Sequence, residues 1–144
     1  MVNAEETLRN VPLFRGLQPK QIKSLARWAA TRNYQPGQAI VTEGQSGVGL
    51  YCIESGRVRI TKESVAGERE LREMGPGESF GEMALLDDRP RSATVTAIVP
   101  TTCVLLDKAQ FLAELNTYPE IALSILPVLV ERLRESDARV FQES

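Results

Sequence analysis

Three textures succeed one another along the chain. The first is helical. Ala4, Leu8 and Val11 fall on one side of a short helix over residues 3–11, which Pro12 ends. Val11-Pro12-Leu13-Phe14 forms an apolar bend, and Gly16 turns the chain. Pro19 suits a first helical turn, and after it Ile22, Leu25, Ala26 and Ala29 recur at helical spacing with Trp28 beside them. The spacing predicts an amphipathic helix over 19–31, with Trp28 as a packing residue rather than a ligand platform.

From Asn33 the texture is that of strands. Glycines punctuate short runs: Ala39–Val41, Leu50–Ile53, Arg57–Thr61, Glu70–Met74, then Ala93–Ala97 and Thr102–Leu106 around Pro100. Several alternate polar and apolar, as half-buried strands do. Ser55-Gly56 and Ala66-Gly67 read as hairpin turns. Turn glycines at such short intervals point to an all-β sandwich or roll.

The third texture is helical again, and no glycine follows Gly81. Asp107 is a good N-cap, with Gln110 placed to complete a capping box and Phe111, Leu112 and Leu115 to face the core. Thr117-Tyr118-Pro119 restarts a helix whose stripe is Ile121, Ile125, Val128, Leu129, Leu133, Ser136 and Val140. Pro127 lies inside it and removes the hydrogen bond to the Leu123 carbonyl, so a kink or break is expected there. The stripe suits packing on the β-structure, a dimer seam or a mobile lid. The expectation is one mainly β domain over 1–144: N-terminal helices over 1–32, a β-roll (double-stranded β-helix or jelly roll) over 33–106, and C-terminal helices over 107–144.

Composition narrows the chemistry. The 144 residues contain no histidine, which removes His-based nucleophilic catalysis and most transition-metal sites. Cys52 and Cys103, far apart in apolar runs, suit buried thiols better than a cluster, a zinc site or a disulfide. The net charge of -2 offers no basic footprint, so no direct nucleic-acid partner is expected. No run approaches the ~18 apolar residues of a membrane span. The opening residues lack a signal-peptide pattern, so a cytoplasmic setting is the default expectation.

One stretch carries the candidate chemistry: Gly77–Thr94, GESFGEMALLDDRPRSAT. Gly81 lets the backbone approach a ligand, and the residues after it suit one helical turn whose free N–H groups favour an anion. Arg91 adds a permanent charge. Asp87 and Asp88 sit in a polar turn beside Arg89-Pro90 and read as solvated carboxylates, not an acid/base pair. The stretch looks like a pocket for a small ligand with a negative group and hydroxyls. Its ligand-free alternative is a Glu82–Arg91 ion pair bracing a turn.

Phe80-Gly81-Glu82, the small apolar turn and Pro90-Arg91-Ser92-Ala93, together with PLFRGL and PGQAIVTEGQSGVGLYCIESGRVRI, closely resemble the cyclic nucleotide-binding domain. That family includes catabolite-activator-type regulators, cAMP-dependent kinase regulatory subunits and cyclic nucleotide-gated channels. The resemblance implies that 77–94 is a phosphate-binding cassette and that the protein is a non-enzymatic sensor for cAMP or, less favoured, cGMP. By position, Glu82 would accept a hydrogen bond from the ribose 2′-hydroxyl, and Gly81 would admit the ribose. Arg91 would pair with the cyclic phosphate, with backbone N–H groups around Met83, Ala84, Ser92 and Ala93 completing the site beside Phe80. Glu82 and Arg91 placed together would leave neither as a lone buried charge.

Ser92 stands where the family tends to carry threonine for cGMP and alanine for cAMP, and cAMP regulators also carry serine. Ser136, Asp137, Arg139 and Val140 are the tail residues able to reach the base. A homodimer through the C-terminal helix and an unknown effector are the further partners implied. The alternatives are a non-binding dimerisation or docking domain of the same fold, or a cupin-like enzyme, which usually needs histidines. Activator-type regulators continue into a helix-turn-helix domain, and 1–144 ends before one.

Overall fold

The computed structural model describes residues 3–143, with side chains through Arg139. Four helices and eight strands occur in the order α1 (Ala4–Arg9), α2 (Pro19–Ala26), β1 (Ala30–Tyr34), β2 (Ala39–Val41), β3 (Gly49–Ser55), β4 (Val58–Ser64), β5 (Gly67–Met74), β6 (Ser79–Phe80), β7 (Thr94–Ala97), β8 (Thr101–Asp107), α3 (Lys108–Thr117) and α4 (Glu120–Glu143). Two four-stranded antiparallel sheets have the orders β1-β8-β3-β6 and β2-β7-β4-β5. Every connection between consecutive strands crosses from one sheet to the other, except the β4–β5 hairpin. That alternation makes the β-roll, flanked by N-terminal helices and a C-terminal helical tail.

The central strands of the first sheet, β3 and β8, are buried on both faces, which explains their nearly continuous apolar runs. Leu50 and Cys52 of β3 and Val104 and Leu106 of β8 face a core shared with the helices, including Leu8, Phe14, Ile22, Leu25, Phe111, Ile121 and Ile125. The alternate residues, Tyr51 and Ile53 of β3 and Cys103 and Leu105 of β8, face the second sheet with Val58, Met74 and Val95. Cys52 and Cys103 therefore lie on opposite faces, and both are free thiols. Burial pushes each up to about 12, so neither is a ready thiolate.

Several expectations need correction. Ser55-Gly56 is not a hairpin turn, because β3 and β4 belong to different sheets. It is a corner. Gly56 has φ +95°, and a Cβ there would lie 2.5 Å from the Pro100 carbonyl oxygen. The expected turn at Ala66-Gly67 does close a hairpin, with Ser64 opposite Gly67. The helix predicted over 19–31 stops at Ala26. Ala30 already pairs with Leu105 in β1, since an open edge of β8 outcompetes helical spacing. Leu112 is 39% exposed rather than core-facing, and Leu133 of the predicted stripe is 67% exposed.

Asp107 caps α3 as expected, its carboxylate accepting from Gln110 N–H at 3.2 Å. α4 runs unbroken through Pro127. Ile121, Ile125 and Val128 on its core side are buried on both sides of the proline, and that packing offsets the one lost hydrogen bond.

A buried carboxylate joins α3 to the end of α2. Glu114, only 4% exposed, accepts from the Ser24 hydroxyl, from Arg27 Nη2 at 3.0 Å and from the Trp28 indole N–H. Trp28, expected as a packing residue, is instead 40% exposed and held by this polar tie. The Ser24 hydrogen bond is the main cause holding the Glu114 carboxyl below its ordinary 4.5; burial opposes it, and Trp28 and Arg27 add to it. The folded-state value lies below the unfolded one, so this contribution is full above about pH 4.5 and is lost as pH falls through the folded value. Urea unfolding is expected to show that Glu114→Gln destabilises at pH 7 and that the gap from wild type narrows below pH 4. A gap unchanged with pH would sink this account.

Candidate functional site

The cassette straddles both cores. Phe80 of β6 packs on the inter-sheet side, while Leu85 is fully buried among the helices. Between them Gly81 has φ +82°, a left-handed conformation that starts the short turn Glu82–Leu85. The Ala84 N–H donates to the Gly81 carbonyl at 3.0 Å, so that amide is committed to the turn itself. Asp87 and Asp88 form the solvated turn that the sequence suggests. Asp87 Oδ1 accepts from Arg89 N–H at 3.2 Å, and the Lys108 ammonium ties the Asp87 carbonyl and the Asp88 carboxylate to the start of α3. The Asp88 side chain is 98% exposed, and Lys108 holds its carboxyl below the usual range. The returning strand is held by the loop before β3. Arg91 N–H donates to Gln45 O at 2.8 Å, and Gly44 N–H donates to Arg91 O at 2.9 Å.

The Glu82–Arg91 ion pair of the ligand-free alternative does not form; each finds another partner. Arg91 Nη2 donates to the Gly49 carbonyl at 2.7 Å, and its Cζ stands 5.8 Å from the Tyr51 ring centroid. Tyr51 stacks in turn on Phe80, with centroids 5.2 Å apart and planes 8° from parallel. Burial lowers the Arg91 pKa, with Tyr51 acting the other way, but a guanidinium remains a cation at any ordinary pH. Glu82 instead meets α4, with Oε1 2.8 Å from Arg132 Nη2. Arg132 Nη1 also contacts the Met83 sulfur at 4.0 Å. Glu82 lies toward α4 and Arg91 toward β3, so the two charges diverge across the cassette.

Both residues keep one buried polar atom without a partner among the described residues, Glu82 Oε2 and Arg91 Nε. Unpaired buried polar atoms are rare and call for an explanation. Both side chains line one cavity of about 770 Å³, large enough for a small-molecule ligand. Its apolar wall comes from Val41, Ile60, Met74 and Val95. All eight expected residues, Phe80, Gly81, Glu82, Met83, Ala84, Arg91, Ser92 and Ala93, line it.

Among the tail residues, Ser136, Asp137 and Arg139 are exposed and do not line the cavity, and the Val140 side chain lies outside the described residues. Arg132, one turn earlier, is an α4 residue that does reach the cassette. Sequence reasoning also missed Tyr51, Gly47 and Gly49. The dense glycines of GQSGVG were their signal, since a backbone without Cβ atoms there leaves room for another side chain.

The cyclic nucleotide-binding domain family matches residues 31–118, and the chain belongs to that family. It is 37% identical over 131 residues to the cyclic AMP receptor protein of Thermus thermophilus, covering 90% of this chain and 61% of that one. It is 32% identical over 134 residues to the CRP-like cAMP-activated global transcriptional regulator of Mycobacterium tuberculosis, covering 92% and 60%. The match thus spans about three fifths of either relative's length. The N-terminal domain of a transcriptional regulator from Streptomyces coelicolor A3(2) superposes with a TM-score of 0.86 at 32% identity, covering 93% of this chain and 94% of that one.

The fold and these relatives define a cyclic nucleotide-binding regulatory module, homologous to non-enzymatic regulators and sensor domains. Among the described residues, no group of three or more His, Cys, Asp or Glu is arranged to hold a metal ion. Among those residues, too, no helix is long and apolar enough to cross a membrane.

Proposed function

We propose that this chain is a cytoplasmic cAMP sensor that binds the nucleotide in the roll and passes the event to α4. One observation carries the reading: the buried, unpartnered Arg91 Nε and Glu82 Oε2 on residues lining a single cavity. A cyclic phosphodiester has one permanent negative charge, which the Arg91 guanidinium complements. A ribose hydroxyl is a donor, which suits Glu82, because a carboxylate only accepts. Gly81 admits the sugar, and the amides near Met83, Ser92 and Ala93 complete the anion site beside Phe80 and Ala84. The cAMP receptor names of the two bacterial relatives favour cAMP over cGMP, and Ser92 is compatible with it.

The relay runs through Glu82. Its Arg132 partner belongs to α4, so a hydroxyl arriving at the same carboxylate changes what holds that helix. Typical couplings of this kind are about 1–3 kcal/mol. Leu123, Leu126, Val130 and Leu133 of α4 are 51–67% exposed and recur at coiled-coil spacing, which supports a homodimer through this helix. Calorimetry with cAMP, cGMP and cyclic dinucleotides tests the ligand; the expected result is saturable binding tightest for cAMP. Light scattering tests the assembly, with twice the 15.9 kDa chain mass expected. A dimer that gives no heat with any nucleotide would favour the non-binding docking domain instead.

A further inference from the structure

Arg91 is enclosed on several sides before any ligand is considered. Below it lies the Tyr51 ring, itself only 5% exposed and fixed by its stack on Phe80. Its Nη2 is tied to the Gly49 carbonyl, the entry residue of β3. A Cβ on Gly47 would lie 2.8 Å from Arg91 Nε and 2.9 Å from the Ala84 Cβ. A Cβ on Gly81 would lie 2.2 Å from Arg91 Nη1. Two glycines thus leave space that the guanidinium fills, one carbonyl sets its rotation, and one aromatic face supports it. None of these groups belongs to the segment that carries Arg91, and Gly47, Gly49 and Tyr51 come from the β2–β3 loop and β3.

A long, flexible arginine loses side-chain entropy when it is fixed on a ligand. An arginine already fixed in the unliganded protein has lost it beforehand, so less is lost at binding. The aromatic face also offsets part of the cost of keeping a desolvated cation.

We propose that Tyr51 is a positioning residue: its ring, with the backbone of Gly47 and Gly49, presets the Arg91 guanidinium for an anionic ligand. The inference rests on the reading of Arg91 as the anion-binding group. It adds that the β3 side of the roll, outside the cassette, determines how well that group performs. The working part of Tyr51 is the ring face, not the hydroxyl, since the contact is between the guanidinium and the ring.

The test uses Tyr51→Leu, Tyr51→Phe and Gly47→Ala, with two readouts. The first is calorimetric affinity for cAMP. The second is the NMR resonance of the Arg91 Nε–H in the ligand-free protein, assigned by its loss in Arg91→Ala. That signal feels the ring current of an aromatic face and is independent of ligand. Tyr51→Leu is expected to weaken cAMP binding roughly 3- to 30-fold and to move the Arg91 resonance. Tyr51→Phe keeps the face and is expected to restore both to near wild type. Gly47→Ala, in a loop outside both cores, is expected to move the resonance and weaken binding without unfolding the protein, so it carries the test if Tyr51→Leu does not fold.

An Arg91 resonance unmoved by the variants overturns the proposal whether or not cAMP binds. So does a Tyr51→Phe variant as impaired as Tyr51→Leu, which would place the role in the hydroxyl. Wild-type protein that binds no cAMP, or an Arg91→Ala variant with wild-type affinity, would instead overturn the ligand reading while the resonance still reports on Arg91 placement.

Discussion

Arg91→Ala is expected to weaken cAMP binding by about 2–5 kcal/mol, a loss of roughly 30- to 5000-fold in affinity, because on the proposed reading it leaves a desolvated phosphate without its cation. The effect on folding is expected to be small. Within the protein the guanidinium is partly desolvated, one of its nitrogens has no partner among the described residues, and its direct protein hydrogen bond is to the Gly49 carbonyl. Removing it relieves a burial cost while leaving that one carbonyl to find water. The variant should therefore melt near the wild-type temperature yet lose the thermal stabilisation that cAMP gives the wild type. Arg91→Lys keeps a charge but not the planar fork and should fall between the two. Near wild-type affinity for Arg91→Ala by calorimetry would end the assignment of this residue.

Phe111→Ala is expected to do the reverse. Phe111 is completely buried on α3, stacked on Phe14 with ring centroids 6.1 Å apart. It joins the N-terminal bend, the outer face of β3 and β8, and α4 in one core. Truncating such a phenylalanine costs about 3–5 kcal/mol from lost burial and an unfilled cavity. Against a typical total stability of about 5–15 kcal/mol, that is a large share. Urea unfolding should show a much lower midpoint with an unchanged slope. At a temperature where the variant remains folded, cAMP affinity should be close to wild type, since the Phe111 side chain does not line the cavity. A midpoint shift worth less than about 1 kcal/mol would contradict this view of the helix-side core.

The contrast between these residues shows what could be read from the chain. The roll was legible because its corners need glycine and several of its strands alternate, both local properties. That Gly81, Glu82 and Arg91 would line one cavity was legible because they lie within one short stretch. β1 was hidden because its central residues are exposed and its helical spacing with Ile22 and Leu25 continues through Ala29. Only the free edge of β8 makes it a strand. Pro127 does not break α4 for a similar reason: a local rule is outweighed by packing on either side. The partners of Glu82 and Arg91 were beyond reach, since Arg132 and Gly49 lie 50 and 42 residues away in the chain. Nothing in the spacing of charges distinguishes a cassette that pairs its own ions from one that directs them to two different elements.

The two-faced burial of β3 and β8 gives the protein a pair of built-in clocks. Lifting the helices from the roll further exposes Cys52, and parting the sheets exposes Cys103. A single thiol reagent therefore reports two separate opening events from the same molecule. If nucleotide tightens the roll but loosens the tail, the labelling rates of the two cysteines move in opposite directions. If the whole structure tightens as one body, they slow together.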